Sequence, residues 1–84
     1  MSEVVAEMEK SWNEKIIFSL SEFKGKHYAD IRIHYEDDEG EWKPTKKGVT
    51  IALERFMEFK ENINKLAEYL TQKGHLDQQA SGEA

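Results

Sequence analysis

Apolar and polar positions alternate through the middle of the chain, and the period then changes. Ile16, Phe18 and Leu20 alternate with Ile17, Ser19 and Ser21, which predicts a strand over Lys15 to Ser21. Ile17 makes its start apolar on both faces, as expected of a strand covered twice. Lys24-Gly25-Lys26 reads as a turn, because glycine reaches positive φ without strain. His27 to Tyr35 is the clearest strand. Ala29, Ile31 and Ile33 form one face, and Tyr28, Asp30, Arg32 and His34 form a polar one. Glu36 to Glu41 is a reversal, and Trp42 to Ile51 resumes extended structure. Pro44 has no N–H for a ladder, so it requires an edge or a bulge there.

From Ala52 the spacing becomes helical, with Leu53, Phe56, Met57, Ile63, Leu66, Ala67 and Leu70 on the apolar side. Thr50 is the expected N-cap and Gly74 the C-terminal stop, for a helix of about 20 residues or roughly 30 Å. That is long for one small sheet to cover, and a partner helix would serve. Upstream, Val4, Ala6, Met8 and Trp12 share a parity. They predict a short strand near Met8 to Trp12, preceded by a flexible arm at 1–7, with Asn13-Glu14 as a reversal. Trp12 is expected as a core or interface anchor. The domain is expected over 8–73, with a disordered tail at 74–84. The fold class is therefore α+β, a four-stranded antiparallel sheet followed by one long helix (ββββα).

Composition narrows the function. The 84 residues carry a net charge of -5 and no cysteine, which excludes disulfides and cysteine metal sites. No apolar run approaches membrane-spanning length, and no signal sequence is visible, so a soluble intracellular protein without membrane contact is expected. The charge is unevenly spread. Residues 1–14 carry four acidic groups and one lysine, and residues 51–84 carry six acidic and four basic groups. Residues 15–50 carry seven of each, with the acids bunched in Glu36, Asp37, Asp38, Glu39 and Glu41. If that bunch is a hairpin tip, the rest of the middle is basic, and local field decides where a phosphate chain lies. Lys24, Lys26, Arg32, Lys43, Lys46 and Lys47 are interleaved there with Phe23, Tyr28, Tyr35 and Trp42. Cations that follow a phosphate backbone, with rings that stack on unpaired bases, point to single-stranded nucleic acid. For Arg32 the plainer reading is a pair with Asp30 or a neighbouring acid.

Other chemistry does not assemble. The acidic reversal lacks the ligand order of a calcium loop. His27, His34 and His75 lack zinc spacing and companion ligands, and read as surface residues. No nucleophile–base pair or carboxylate pair forms a catalytic set, so neither an enzyme nor a cofactor is expected.

Four pieces at fixed spacing, FKGK (Phe23 to Lys26), DIR (Asp30 to Arg32), EGEWKP (Glu39 to Pro44) and KKG (Lys46 to Gly48) followed by VTI, resemble the single-stranded-DNA-binding domain of transcriptional positive cofactor four. The match runs from Ile16 to Ile63. The resemblance implies a curved four-stranded sheet plus helix and a homodimer, whose two β-ridges bind antiparallel unpaired DNA strands. It implies contacts by Phe23, Lys24, Lys26, Arg32, Tyr35, Lys43, Lys46 and Lys47, and a dimer interface through Phe56, Ile63, Leu66 and Leu70. The implied partners are single-stranded DNA, a second copy of the chain, and transcription or replication proteins. Tyr35 stands where the family has tryptophan, and Thr45 where a glycine is usual. His27, Tyr28 and His34 also depart from the pattern. The serine-rich N-terminal region of eukaryotic members is not in the sequence, which favours a bacterial or phage form acting in the cytoplasm or nucleoid. Arg32 and Tyr35 have opposite parity, so their joint use calls for a bulge between them. A protein-interaction module on the same fold and an RNA binder are the alternatives.

Overall fold

A computed structural model describes residues 2–76. Four strands, β1 (Ser2–Ser11), β2 (Glu14–Phe23), β3 (Lys26–Glu36) and β4 (Trp42–Ala52), form one antiparallel sheet in the order β1-β2-β3-β4. A single 3-10 turn (Leu53–Arg55) and the helix α1 (Phe56–Gln72) follow. The expected ββββα order is the observed one.

Register fixes the two faces of the sheet. β2 and β3 pair without interruption from Glu14↔Tyr35 to Phe23↔Lys26. Paired residues share a face. One face is therefore a ladder of Ile16↔Ile33, Phe18↔Ile31 and Leu20↔Ala29, continued by Val49 and Ile51 on β4 and by Ala6 and Met8 on β1. The other face carries Lys15, Ile17, Ser19, Ser21 and Phe23 on β2, with Lys26, Tyr28, Asp30, Arg32, His34 and Glu36 on β3. Ile17, on this polar face, is 7% exposed and is the buried apolar side chain among the described residues.

The strands reach further than the alternation predicts. β1 pairs with β2 from Ser2 onward, so residues 2–7, expected as an arm, belong to the sheet. The shared parity of Val4, Ala6 and Met8 breaks at a register shift between Val4 and Ala6. Val4 consequently pairs with Ser19 on the polar side, while Ala6 pairs with Phe18 on the apolar side. Trp12 is a second correction. It lies in the two-residue turn between β1 and β2 and is 90% exposed, so it is not a core residue of this chain.

The turn between β2 and β3 is built as expected. Lys24 (φ 55°) and Gly25 (φ 81°) both take positive φ, the signature of a tight hairpin turn that matches strand twist. The acidic reversal folds around one carboxylate. Asp37 Oδ1 accepts from the backbone N–H groups of Glu39 and Glu41, each at 2.9 Å, and its Oδ2 is 3.2 Å from Lys43 Nζ. These bonds explain the position of Asp37 without a metal ion.

The helix, considered by itself, starts later than expected. Thr50 is not its N-cap: it lies inside β4, and its hydroxyl donates to Asp30 Oδ1 at 3.0 Å. The cap position falls to Arg55, which makes no side-chain cap bond and instead bonds Glu58 at 3.1 and 2.8 Å. The C-terminus does end at Gly74. The His75 N–H donates to Leu70 O at 2.9 Å and the Gly74 N–H to Thr71 O at 3.0 Å, the paired bonds of a Schellman stop. The helix spans 17 residues, and no helix among the described residues is long and apolar enough to cross a membrane. Beyond Leu76 the expected tail lies outside the described residues, as does Met1.

Candidate nucleic-acid interface

The polar face is assembled around Arg32. Its Nε and Nη2 donate to Asp30 Oδ2 and Oδ1 at 3.1 and 2.9 Å. Its Nη2 also reaches Thr50 Oγ1 at 3.3 Å, and its Nη1 donates to Thr45 O at 3.1 Å. Most of the guanidinium's five N–H donors are thus spent inside the sheet, and its side chain is 21% exposed. Burial alone would raise the Asp30 pKa, but the bonds from Arg32 and Thr50 outweigh it and hold the carboxyl below its ordinary range. The plainer sequence reading of Arg32, a pair with Asp30, is the observed one.

Linkage gives this network a pH signature. A carboxylate with a depressed folded pKa contributes stability that is present above its unfolded value and lost as pH falls through the folded one. The fold should therefore weaken progressively as pH drops below about 4. In an Asp30→Asn variant that acid-side loss should be smaller, at the cost of lower stability at neutral pH. Urea midpoints measured across the acid range check this.

Arg32 and Tyr35 stay on opposite faces. β3 runs against β2 residue for residue, so it contains no extra residue between them. The irregularity lies on β4: Gly48 pairs with Arg32 and Pro44 with His34, so Thr45, Lys46 and Lys47 all stand opposite Ile33. The bulge expected between Arg32 and Tyr35 is therefore absent, and the bulge on β4, beside Pro44 as its missing N–H requires, adds two residues that leave the parity unchanged. Tyr35 pairs with Lys43 at the end of the apolar face, while Phe23, Lys26 and Arg32 share the polar face.

Thr45 holds the bulge. Its hydroxyl donates to Ile33 O at 2.8 Å and accepts from the Lys47 N–H at 3.1 Å. A glycine here could make neither side-chain bond. Thr45→Val should remove both while keeping the side chain's shape, costing about 1–2 kcal/mol. Urea unfolding checks that loss, and Thr45→Ser should recover most of it.

The remaining expected cations divide between free-standing and paired positions. Lys24 sits in the β2–β3 turn with its Nζ 5.4 Å from the ring centroid of Phe23, which is 64% exposed. Lys26 is exposed at the start of β3, and Lys46 and Lys47 are exposed on the bulge. Lys43 is the exception, pairing with Asp37. Alternating hairpins put the Lys24–Lys26 turn at one end of the sheet. The acidic turn lies at the other, beside the first turn, where the Glu36 N–H donates to Asn13 O at 3.0 Å. The Lys24–Lys26 turn and the acidic turn thus lie at opposite ends of the sheet. Lys15 and Trp42 on the polar face were outside the contact set that the resemblance implies, although Trp42 is among the rings interleaved with the cations in the sequence. The signal for Trp42 was its parity with Glu36, visible only once the β3–β4 register is known. Among the described residues no group of acidic or histidine side chains is placed to hold a metal ion.

Comparison with known proteins agrees with this architecture. A PC4 homolog from Burkholderia pseudomallei K96243, in a tetragonal crystal form, superposes with a TM-score of 0.75 at 24% identity, covering 80% of this chain and 98% of that one. Its orthorhombic form gives 0.74 at 24% identity, covering 79% and 89%. A bacteriophage T5 homolog of the eukaryotic coactivator PC4, described as implicated in recombination-dependent DNA replication, gives 0.62 at 22% identity, covering 87% and 81%. These likenesses establish the fold. A family model described as Transcriptional Coactivator p15 (PC4) matches residues 8–62, more than half of the sequence. With four meandering strands, a following helix and the matched span in agreement, the chain belongs to the Transcriptional Coactivator p15 (PC4) family.

Proposed function

We infer that the protein binds single-stranded DNA as a homodimer, with little sequence preference. The observation that carries this reading is the set of exposed lysines beside an exposed ring on the sheet. Lys24, Lys26, Lys46 and Lys47 are exposed, and the polar-face carboxylate of Asp30 is taken up by Arg32. Such exposed lysines are available to phosphates. Phe23, exposed beside Lys24, offers a ring to an unpaired base. From Lys26 to the bulge opposite Ile33 is seven residues, about 23 Å of strand, a track that a short run of nucleotides would follow. The acidic turn repels phosphate and bounds the track. Arg32 acts as the buttress that holds the bulge, while Tyr35 and Lys43 lie on the opposite face and outside this track.

The dimer rests on apolar surface. Phe56, Phe59, Ile63, Leu66 and Leu70 recur at alternating spacings of three and four, a seam that suits a second helix. Ile63 and Leu66 are 49% and 54% exposed in the single chain. Sedimentation at micromolar concentration should return twice the chain mass, and a clean monomer would contradict the dimer.

Neither catalysis nor a cofactor enters this reading. A role in transcription or replication, holding melted DNA, is supported by family membership and by the role described for the phage relative. Fluorescence anisotropy with labelled oligo-dT and an equally long duplex tests the function. Tighter binding to oligo-dT is expected. Equal and weak binding to both at low salt would favour a protein-interaction module, to which the overall charge of -5 is suited.

A further inference from the structure

The polar face carries a second ring capped by an ammonium. Lys15 Nζ lies 4.6 Å from the Trp42 ring centroid and is held there by Glu7 Oε1 at 2.8 Å. Trp42 is the cross-strand partner of Glu36, and Lys15 that of His34, so both lie on the face that carries Phe23. Phe23 with Lys24 makes the same arrangement at the opposite end of that face. Ten residues of β3, about 33 Å, separate the two. Trp42 takes no place in the apolar ladder, and its opposite neighbour is a carboxylate, so filling the hydrophobic face does not explain the ring.

We propose that Trp42 is a nucleobase-stacking subsite at the far end of the polar face, closed in the free protein by the Lys15 ammonium. The proposal rests on the single-strand reading and adds a position to it. A base and an ammonium compete for the same ring face. A cation near the surface gains less from a ring than a stacked base does, so the base displaces it. Lys15 remains paired with Glu7, whose carboxylate, together with Glu9 and Glu36, disfavours phosphate at this spot. The subsite therefore reads the base, while the backbone charge is met by the lysines of the turn and bulge. It also supplies an indole that position 35, here tyrosine, does not.

The test is a fluorescence titration with oligo-dT on a Trp12→Phe background, in which Trp42 is the remaining tryptophan. Its emission should be quenched, with the same midpoint as the anisotropy of the labelled oligonucleotide. Trp42→Ala should weaken binding by about tenfold, and Trp42→Phe by less. The slope of log affinity against log salt should stay unchanged in both, because no phosphate contact is lost. Circular dichroism confirms that each variant is folded. Lys15→Ala, which uncovers the ring, should bind at least as tightly as the parent. Oligo-dT that binds while Trp42 emission stays constant, or that binds folded Trp42→Ala and Trp42→Phe as tightly as the parent, overturns the subsite and leaves the single-strand reading intact. Absence of any binding to oligo-dT overturns both.

Discussion

Gly48→Ala should destabilise the sheet by about 2–3 kcal/mol. For a domain of this size that lowers the melting temperature by roughly 10–20 °C. A β-carbon at position 48 would stand 2.5 Å from Ile31 O, 2.8 Å from Arg32 Cα and 3.0 Å from Arg32 Cβ. These are chiefly main-chain atoms of the central strand β3, which cannot swing aside as a flexible side chain does. Relief requires β4 to lift from β3 at the base of the bulge, where the Gly48↔Arg32 pair closes the irregular segment. The change should therefore also loosen Lys46 and Lys47. Gly25→Ala is the control. No atom lies within 4 Å of a β-carbon there, so only the positive φ is penalised and the loss should stay near 1 kcal/mol. Thermal unfolding of both variants, followed by circular dichroism, separates a steric cause from a conformational one.

The second large effect is on binding. Changing Lys24, Lys26 and Lys47 together to glutamate should lower affinity for oligo-dT by roughly two orders of magnitude or more, with little change in melting temperature. All three side chains are exposed, so the fold has little stake in them. Each phosphate neutralised on a single strand contributes about 0.7 to the slope of log affinity against log salt. Losing three contacts should flatten that slope by about 2. A triple variant with parental slope and affinity would move the site off the turn and bulge. The same change on the acidic side, Asp38 and Glu39 to lysine, should not weaken binding, since those groups lie outside the proposed track.

The chain's own pattern made most of this fold legible. Alternation is clear in β3 and, after Ile17, in β2, because one face is apolar and the other polar, and the turn at Lys24-Gly25 is written in residue type. Gly74 announced the end of the helix in the same way. Register shifts were not legible in the period, although Pro44 foretold an edge or a bulge in β4. One of the two irregularities in β1 sits between Val4 and Ala6, two residues whose shared parity reads as unbroken alternation. The bulge in β4 adds two residues, which restores parity and leaves no trace in the period. Partners across strands were equally invisible. Thr50 looks like a helix cap by position, yet Asp30 across the ladder claims its hydroxyl. Thr45 looks like a departure from family glycine, yet it pins the bulge through Ile33. The candidate site was accordingly legible in its residue types and only partly in its geometry. The lysines and Phe23 stand where a ligand can meet them, Arg32 turned inward, Tyr35 fell on the other face, and Trp42 emerged from the β3–β4 pairing.

Photocrosslinking of oligo-dT, with the modified peptides identified by mass spectrometry, asks most directly where an unpaired strand lies. A polar-face site predicts adducts on Phe23 and on the other rings of that face, Tyr28 and Trp42. Adducts confined to Trp12 in the first turn, or to Tyr69 on the helix, would contradict it.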